Sequence, residues 1–525
     1  MAGKHILWID DEIESLEPYV QMLESHGYKV AKINSGREGL DYFNSHDVDL
    51  VLLDEQMPGM GGLDVLREIK RLKPEAHVIM ATRTTAMETY ESAKGLKSAR
   101  YLTKPLKPFD IITAVRDELE AKEIEHKHDL ESFAKEYRLL NLDISSCRTF
   151  ADWCNVYKRL VDWEIKFDGQ PLQDNLKDLK RDANIEFCRF VTKNYQSWIQ
   201  AYAKSQTDET VPLLSHAIMS KVVLPLMSDK VALVVIDNFR LDQWHVLRPL
   251  LSEEFRIEEN YCSSILPTAT QFARNAIFSG MLPDSIKKQH PELWIDQSNK
   301  EANEQEESLN ANERQLLDKY FVDRRINNKY KYSYYRVGSN QSGAEYIKKF
   351  DGYKKNNLNA IVFSFIDVLS HSATDNHTVK ETIPDDAAYR RLTRSWFYNA
   401  GSLSDVLKTL SNNGYTIVLT TDHGTIRVTN DVEISGSKSI NTNERFKFGS
   451  NIKYDEKRTF VIDNPTACGL PGKPKCDRYI FALNSDFFVY PNNKNEYKNR
   501  FAGSLQHGGV SMEEMILPLV ILRKK

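Results

Sequence analysis

Hydrophobic and polar positions divide this chain into three textures. Over residues 1–122, five short apolar runs (5–9, 29–33, 50–53, 77–80 and 100–103) alternate with stretches of helical periodicity such as 13–26 and 36–44. Unbroken runs such as Val51-Leu52-Leu53 suit strands covered on both faces, which predicts a doubly wound parallel sheet. From about Arg116 the pattern changes. Leu119, Leu130, Phe133, Tyr137 and Leu140 recur at helical spacing within 118–140, and Trp153, Tyr157, Leu160 and Trp163 continue at steps of three or four. No strand is predicted before about Met227, and the aromatic stripe reads as helix core. From Val231 the alternation returns. Segments 231–237, 359–367 and 415–422 are each an apolar strand ending in an acid. Segment 297–318 is polar and predicts a surface insertion; 431–457 mixes Gly, Ser, Asn and charge and predicts a loop or lid. The division is therefore an α/β domain over 1–122, a helical bundle or linker over 123–227 and a larger α/β domain over 228–525.

Composition adjusts this picture in a few places. A length of 525 residues asks for more than one core. With 41% hydrophobic and 27% charged residues the chain is ordinary for a globular protein. A net charge of −4 supplies no chain-wide basic field for coating a duplex, though a local basic groove stays open. Cys147, Cys154, Cys188, Cys262, Cys468 and Cys476 show neither CxxC spacing nor a dense disulfide pattern, which predicts buried thiols in a reducing compartment. An acid at position 10 interrupts the apolar length that a signal peptide needs. No run nears the roughly 20 apolar residues of a membrane span. A cytoplasmic location without membrane insertion is expected.

In parallel sheets, functional groups collect at the carboxyl ends of the strands. Asp10 and Asp11 follow the first strand, Asp54 the third, Thr82 the fourth and Lys104 the fifth. Three carboxylates in one pocket repel each other and need a hard cation, and an all-oxygen set favours Mg²⁺. Together with Asp54-Glu55-Gln56-Met57-Pro58 and Leu102-Thr103-Lys104-Pro105, these positions resemble a response-regulator receiver domain. The resemblance implies that Asp54 is the phosphoacceptor and that Asp10, Asp11, Asp54 and the Gln56 carbonyl hold Mg²⁺. Lys104 and Thr82 would contact the phosphoryl oxygens, and Tyr101 would change rotamer. A sensor histidine kinase is the implied partner, and a homodimer on phosphorylation is expected, carried onward by the helix over 118–140. Arg83 departs from the small residue that the family commonly has there, so an altered phosphorylation lifetime is expected.

The second set lies in the C-terminal half. Asp367 and His371, four residues apart, can address one ion from a helix start. Asp422-His423 follows another strand, so adjacent ligands can diverge toward a shared or a neighbouring cation. His507 precedes Gly508-Gly509, which let the backbone come close to the site. Carboxylate and imidazole without thiolate fit Zn²⁺ ahead of Mn²⁺. Thr268 and Thr270 lie at the start of a predicted helix, where free N–H groups and the dipole favour an incoming phosphate. A divalent cation makes a threonine alkoxide accessible. Arg274, one turn further, could reach a non-bridging oxygen or serve a structural role.

With Ile236-Asp237, Ser279-Gly280 and Thr421-Asp422-His423-Gly424, these motifs make residues 228–525 resemble the PglZ branch of the alkaline phosphatase superfamily. The likeness implies an alkaline-phosphatase-like α/β domain with two Zn²⁺. One would be held by Asp367, His371 and His507, the other by Asp237, Asp422, His423 and Thr270. Thr270 keeps the superfamily's spacing to Ser279-Gly280 and is the implied nucleophile. No further acid cluster offers a third metal site, so a phosphodiesterase acting on a nucleotide or oligonucleotide is expected ahead of a phosphomonoesterase. The full order of receiver, helices and PglZ-like domain resembles the PorX family of Bacteroidota. That implies control of type IX secretion and gliding, with an extracytoplasmic sigma factor as a further partner. The competing expectation is a regulatory scaffold that binds a sigma factor and keeps its metals without turnover.

Overall fold

The computed structural model describes residues 4–73, 76–82, 99–168, 173–295, 309–375, 377–398, 403–436, 443–473 and 477–525. They form two compact units, Met1–Glu136 and Tyr137–Lys525. Arg83, the site of the family departure, lies outside the described residues.

In the smaller unit, β1 (His5–Ile9), β2 (Lys29–Ile33), β3 (Leu50–Asp54), β4 (His77–Thr82) and β5 (Ala99–Thr103) make a parallel sheet of order β2-β1-β3-β4-β5. Ile6, Trp8, Leu52 and Ile79 bury one face, and Leu7, Ile9, Leu53 and Met80 bury the other. Both faces need apolar side chains, so the strands read as unbroken runs. Ile9 pairs with Leu53. That register sets Asp10 and Asp54 side by side where the chain reverses its winding, the place at which such sheets bind ligands. The last helix of this sheet runs as Pro108–Ser146.

The larger unit is built on a mixed sheet of order β7-β18-β10-β6-β9-β8. Its strands are β6 (Val231–Ile236), β7 (Phe255–Ser263), β8 (Tyr332–Val337), β9 (Leu358–Phe363), β10 (Thr416–Thr420) and β18 (Ile516–Lys524). Strands β10, β6, β9 and β8 are parallel, while β18 runs antiparallel to both β10 and β7. Strands β6 and β9 are buried at every position, as their apolar sequences require. The run over 359–367 leaves the sheet at Phe363. Phe365–Asp375 is a helix, so Asp367 belongs to its first turn and not to a strand end.

Helices Phe150–Lys166 and Gln173–Ala203 belong to this unit. The first begins at a capping box between Thr149 and Asp152, a device worth about 1 kcal/mol. Trp153, Tyr157 and Leu160 are buried, and Trp153 meets Phe187 edge-on with centroids 5.6 Å apart, so the stripe is core. Lys180 bridges Glu164 (2.9 Å) and Glu513 (2.9 Å). Asn184 donates to Glu513 (2.9 Å) and accepts from the Met512 N–H (2.8 Å). A buried charge set of this kind is costly to break from one side. It clasps the segment that follows His507.

Two expectations about irregular segments are corrected. Within 431–457 lie β12 (Asn430–Glu433) and β13 (Phe446–Gly449). Strand β12 pairs with β16 (Asp486–Val489), and β13 with β15 (Arg478–Ala482), which also takes β14 (Thr459–Ile462). A two-residue ladder, β11 (Ile426–Arg427) with β17 (Leu505–Gln506), completes this region. Buried Val432, Ile434 and Phe446 supply the apolar positions that the polar average concealed; residues 437–442 lie outside the described residues. Of the insertion expected over 297–318, residues 309–318 are no surface feature: Leu309, Asn310, Glu313, Leu316 and Leu317 are buried. Their polar members are paired, which composition cannot register; residues 296–308 lie outside the described residues. Cys147, Cys154, Cys188, Cys262 and Cys468 are buried and free, and Cys476 is among the residues not described. Among the described residues no helix is long and apolar enough to cross a membrane.

Candidate active site

Two sites stand at strand ends, one in each unit. In the smaller unit Asp10, Asp11 and Asp54 bring carboxylate oxygens within 4.8 Å of one another. Asp10 and Asp54 are buried and Asp11 is exposed. Lys104 Nζ lies 2.9 Å from Asp54 Oδ2 and 3.0 Å from Asp10 Oδ2. Burial pushes the Asp54 carboxyl up, and the neighbouring Asp10 adds to this against the opposing pull of Lys104. Burial opposes the charge on Lys104, but hydrogen bonds to Asp54 and Asp10 hold its pKa above the usual lysine value. Thr82 ends β4 and is buried, Tyr101 is half-buried on β5, and Gln56 is exposed just after β3. Gly62 closes the loop after Asp54 so tightly that a Cβ there would sit 2.1 Å from the Asp54 carbonyl oxygen.

In the larger unit all seven expected groups are brought together. Asp367, His371 and His507 form one set and Asp237, Asp422 and His423 another, each with ligand atoms within 4.8 Å of one another. Strand β6 delivers Asp237, the Phe365–Asp375 helix delivers Asp367 and His371, and β10 delivers Asp422 and His423. His371 Nε2 lies 3.5 Å from Asp367 Oδ1 and 3.5 Å from His507 Nε2. His423 Nε2 lies 3.8 Å from Asp237 Oδ1 and 3.7 Å from Asp422 Oδ2. The two sets adjoin, because the His423 and His507 rings stack with centroids 4.2 Å apart. Thr270 opens the Thr270–Ser279 helix, and its Oγ1 is 3.0 Å from His423 Nε2.

The donor chemistry fits cations. His507 Nδ1 donates to the Thr268 carbonyl (3.1 Å) and His423 Nδ1 to the Gly424 carbonyl (3.2 Å), which orients both rings with Nε2 facing the site. Asp237 Oδ1 and Asp422 Oδ2 are buried without a hydrogen-bond partner, an arrangement that is expensive without a counter-charge. Asp237 and Asp367 respond oppositely to their neighbours. Burial drives the Asp237 carboxyl well above the usual range, with Asp422, Asp367 and Glu313 adding to it and Arg274 opposing. Burial acts the same way on Asp367, but His371, His507 and His423 overcome it and hold that carboxyl well below the usual range.

The side chains around these groups settle several assignments that sequence spacing leaves open. Arg274 is buried between Asp237 and Glu313 and donates to both, so its guanidinium braces Asp237 and does not point freely into the site. Tyr334 in turn donates to Glu313. Thr268 is occupied: its hydroxyl donates to the Gly509 carbonyl (2.9 Å) and accepts from the Gly508 N–H (3.0 Å). Glu514 takes the Gly509 N–H (2.8 Å) and pairs with Arg445 (2.5 Å). Gly508 has φ of 118°, and a Cβ there would meet Phe446 and Asn443 at 2.7 Å, so the loop carrying His507 needs glycine. Asn310 donates to the Thr270 carbonyl (3.1 Å). Sequence reading missed Asn238, Asn310, Glu313, Arg445 and Glu514. The available signals were Asn238 directly after a strand-end acid and Glu514 seven residues after His507.

Residues 218–522 match the family model described as the BREX system PglZ alkaline phosphatase-like domain, residues 6–116 the response regulator receiver domain, and residues 123–199 the PorX response regulator linker domain. The chain is 35% identical over 127 residues to the transcriptional regulatory protein ZraR of Escherichia coli K12, covering 24% of this chain and 28% of ZraR. It is 30% identical over 139 residues to the response regulator SaeR of Staphylococcus aureus, covering 26% of this chain and 60% of SaeR. A solved receiver domain from Clostridium thermocellum is 33% identical and covers 23% of this chain and 98% of that one, with a TM-score of 0.22.

Proposed function

We propose, from the premise that this response regulator belongs to the PglZ alkaline phosphatase-like family and carries its PglZ domain behind a receiver and a PorX-type linker, that its larger unit is a zinc-dependent phosphodiesterase controlled by phosphorylation of Asp54. One observation carries the proposal: six ligand side chains in two adjoining sets converge beside the Thr270 hydroxyl, with two carboxylate oxygens buried and unpaired among them.

Asp367, His371 and His507 would hold one Zn²⁺, and Asp237, Asp422, His423 and Thr270 the other. Bound there, Zn²⁺ lowers the pKa of the threonine hydroxyl and stabilises charge on the attacking and leaving oxygens. Thr270 supplies the nucleophile: its oxygen displaces one ester oxygen in line, the departing alkoxide leaves as an alcohol with the threonine proton, and the phosphorus stays on Thr270 with its second ester intact until water clears it. Its place at a helix start turns free N–H groups toward the non-bridging oxygens. Arg274, held by Glu313, keeps Asp237 in place. Access runs past His371, whose side chain is 43% exposed while His423 is fully buried.

Among the described residues no third cluster of acids adjoins the two sets. A nucleotide or oligonucleotide diester is the substrate class proposed.

Upstream, the receiver takes its phosphoryl group from a partner histidine kinase onto Asp54, with Mg²⁺ held by Asp10, Asp11, Asp54 and the Gln56 carbonyl. Control of type IX secretion and gliding, a dimer formed on phosphorylation and an extracytoplasmic sigma factor as a further partner belong to the same proposal, supported by the PorX linker match.

The test is hydrolysis of bis-p-nitrophenyl phosphate, dinucleotides and p-nitrophenyl phosphate by the full chain. Turnover of diesters in excess of the monoester, abolished by chelation and restored by Zn²⁺, is the expected result. Protein with zinc bound but no turnover on any of them would favour a scaffold.

A further inference from the structure

Asn238 follows Asp237 with φ of 61°, in the left-handed region that residues other than glycine seldom adopt. Strain of this kind persists only where surrounding structure enforces it, and it gathers at working sites. The residue is wholly buried. Its backbone N–H donates to Asp422 Oδ1 (3.3 Å), while its side-chain Nδ2 donates to Asp367 Oδ1 (3.2 Å) and Ser370 Oγ (2.9 Å). The backbone thus serves one ligand set and the side chain the other.

The direction of the amide is fixed by what it faces. Ser370 gives its own proton to the Asp367 carbonyl (2.8 Å), so both Ser370 Oγ and the Asp367 carboxylate stand as acceptors toward Asn238. A flipped amide would set its oxygen against a carboxylate. In the orientation present, Oδ1 is buried with no hydrogen-bond partner. A strained backbone and an unpaired carbonyl are both tolerated to keep one donor on Asp367.

We propose that Asn238 is a positioning residue that holds Asp367 in register with the Asp237–Asp422–His423 set and so fixes how the two cation sites are spaced. The inference rests on the two-cation reading above. Asp367 is the only carboxylate of its set, so the set depends on that carboxylate's rotation. An outer partner that orients a ligand typically governs metal affinity by about 10–100-fold.

The positive φ makes a clean variant available. Asn238→Gly removes the amide and relaxes the backbone, since glycine adopts this conformation without penalty. Competition between the full-length protein and a chromophoric chelator reads the two equivalents of Zn²⁺ separately. In Asn238→Gly one equivalent is expected to weaken about 10–100-fold, with the other unchanged and the unfolding temperature of the metal-free protein not lowered. Ser370→Ala, which leaves the amide on Asp367, is expected to weaken the same equivalent by less. Two unchanged equivalents in Asn238→Gly would overturn the proposal. Equal weakening of both with a lowered unfolding temperature would also overturn it, because that marks a merely structural role. A parent protein that binds no zinc would sink the two-cation reading itself and this inference with it.

Discussion

Thr270→Ala is expected to lower diester hydrolysis by roughly 10³-fold or more while two equivalents of metal stay bound. A loss of that size corresponds to about 4 kcal/mol of transition-state stabilisation. Among the described residues the Thr270 hydroxyl opens a helix, stands 3.0 Å from His423 Nε2 and lies beside the set of Asp237 and Asp422, which is what the proposed attack requires. Thr270→Ser, which keeps the hydroxyl, should retain measurable turnover. Thr268→Ala is the informative control. Its hydroxyl ties the Gly508-Gly509 loop to the turn that precedes the Thr270–Ser279 helix, so losing it leaves buried backbone groups unpaired at a cost of about 1–3 kcal/mol. That variant should lose thermal stability and part of its activity, without the collapse in turnover. Quenched-flow with labelled substrate checks the distinction directly, since a covalent adduct of the threonine with the phosphorus and its remaining ester accumulates only where residue 270 keeps its hydroxyl. Equal hydrolysis by Thr270→Ala and the parent would remove threonine from the mechanism.

Asp54→Asn is expected to abolish acyl-phosphate formation in the receiver and with it any response of hydrolysis to acetyl phosphate or beryllofluoride. The amide is nearly isosteric, so the fold should persist. Lys104 keeps its contact with Asp10, but the pocket loses both the proposed acceptor oxygen and one charge of the carboxylate set proposed to hold Mg²⁺. Phosphate-affinity electrophoresis reads the modification, and the hydrolysis assay reads the output. A variant whose basal turnover equals the parent's but no longer responds shows that control passes through Asp54. A response that survives in Asp54→Asn would place the phosphoacceptor elsewhere.

Strands β1, β3, β4, β6, β9 and β10 were legible because nearly all of their positions are buried. Strands β7, β8 and β18 were not read from the sequence, and most positions of β7 and β8 are only partly buried or exposed. Val51-Leu52-Leu53 and Val231–Ile236 have no polar face to blur the signal. The acids that follow them were legible for the same reason, since a carboxylate ending an apolar run has few structural uses. Asp367 was found by its spacing to His371, although it stands on a helix and not at a strand end. Arg274 was located but left between two roles; burial between Asp237 and Glu313 decides for bracing. What could not be read were partners whose meaning exists only in three dimensions. Glu313 and Asn310 sit in a polar stretch that composition assigns to solvent, yet both are buried and hydrogen-bonded to the Thr270–Ser279 helix. Asn238 looks like an ordinary turn residue until its φ and its contacts are known. The β-strands over 430–449 were missed because their apolar positions are few and their burial comes from aromatic neighbours distant in sequence, such as Phe272 and Phe481 against Phe446.

The central claim is that remote segments assemble two cation sites beside one hydroxyl. Anomalous diffraction at the zinc edge from crystals of the full chain tests it most directly. Two peaks about 4 Å apart are expected, one among Asp367, His371 and His507 and the other among Asp237, Asp422 and His423 next to Thr270. Zinc-soaked crystals with no peak in either set, or with zinc only at other places on the protein, would contradict it.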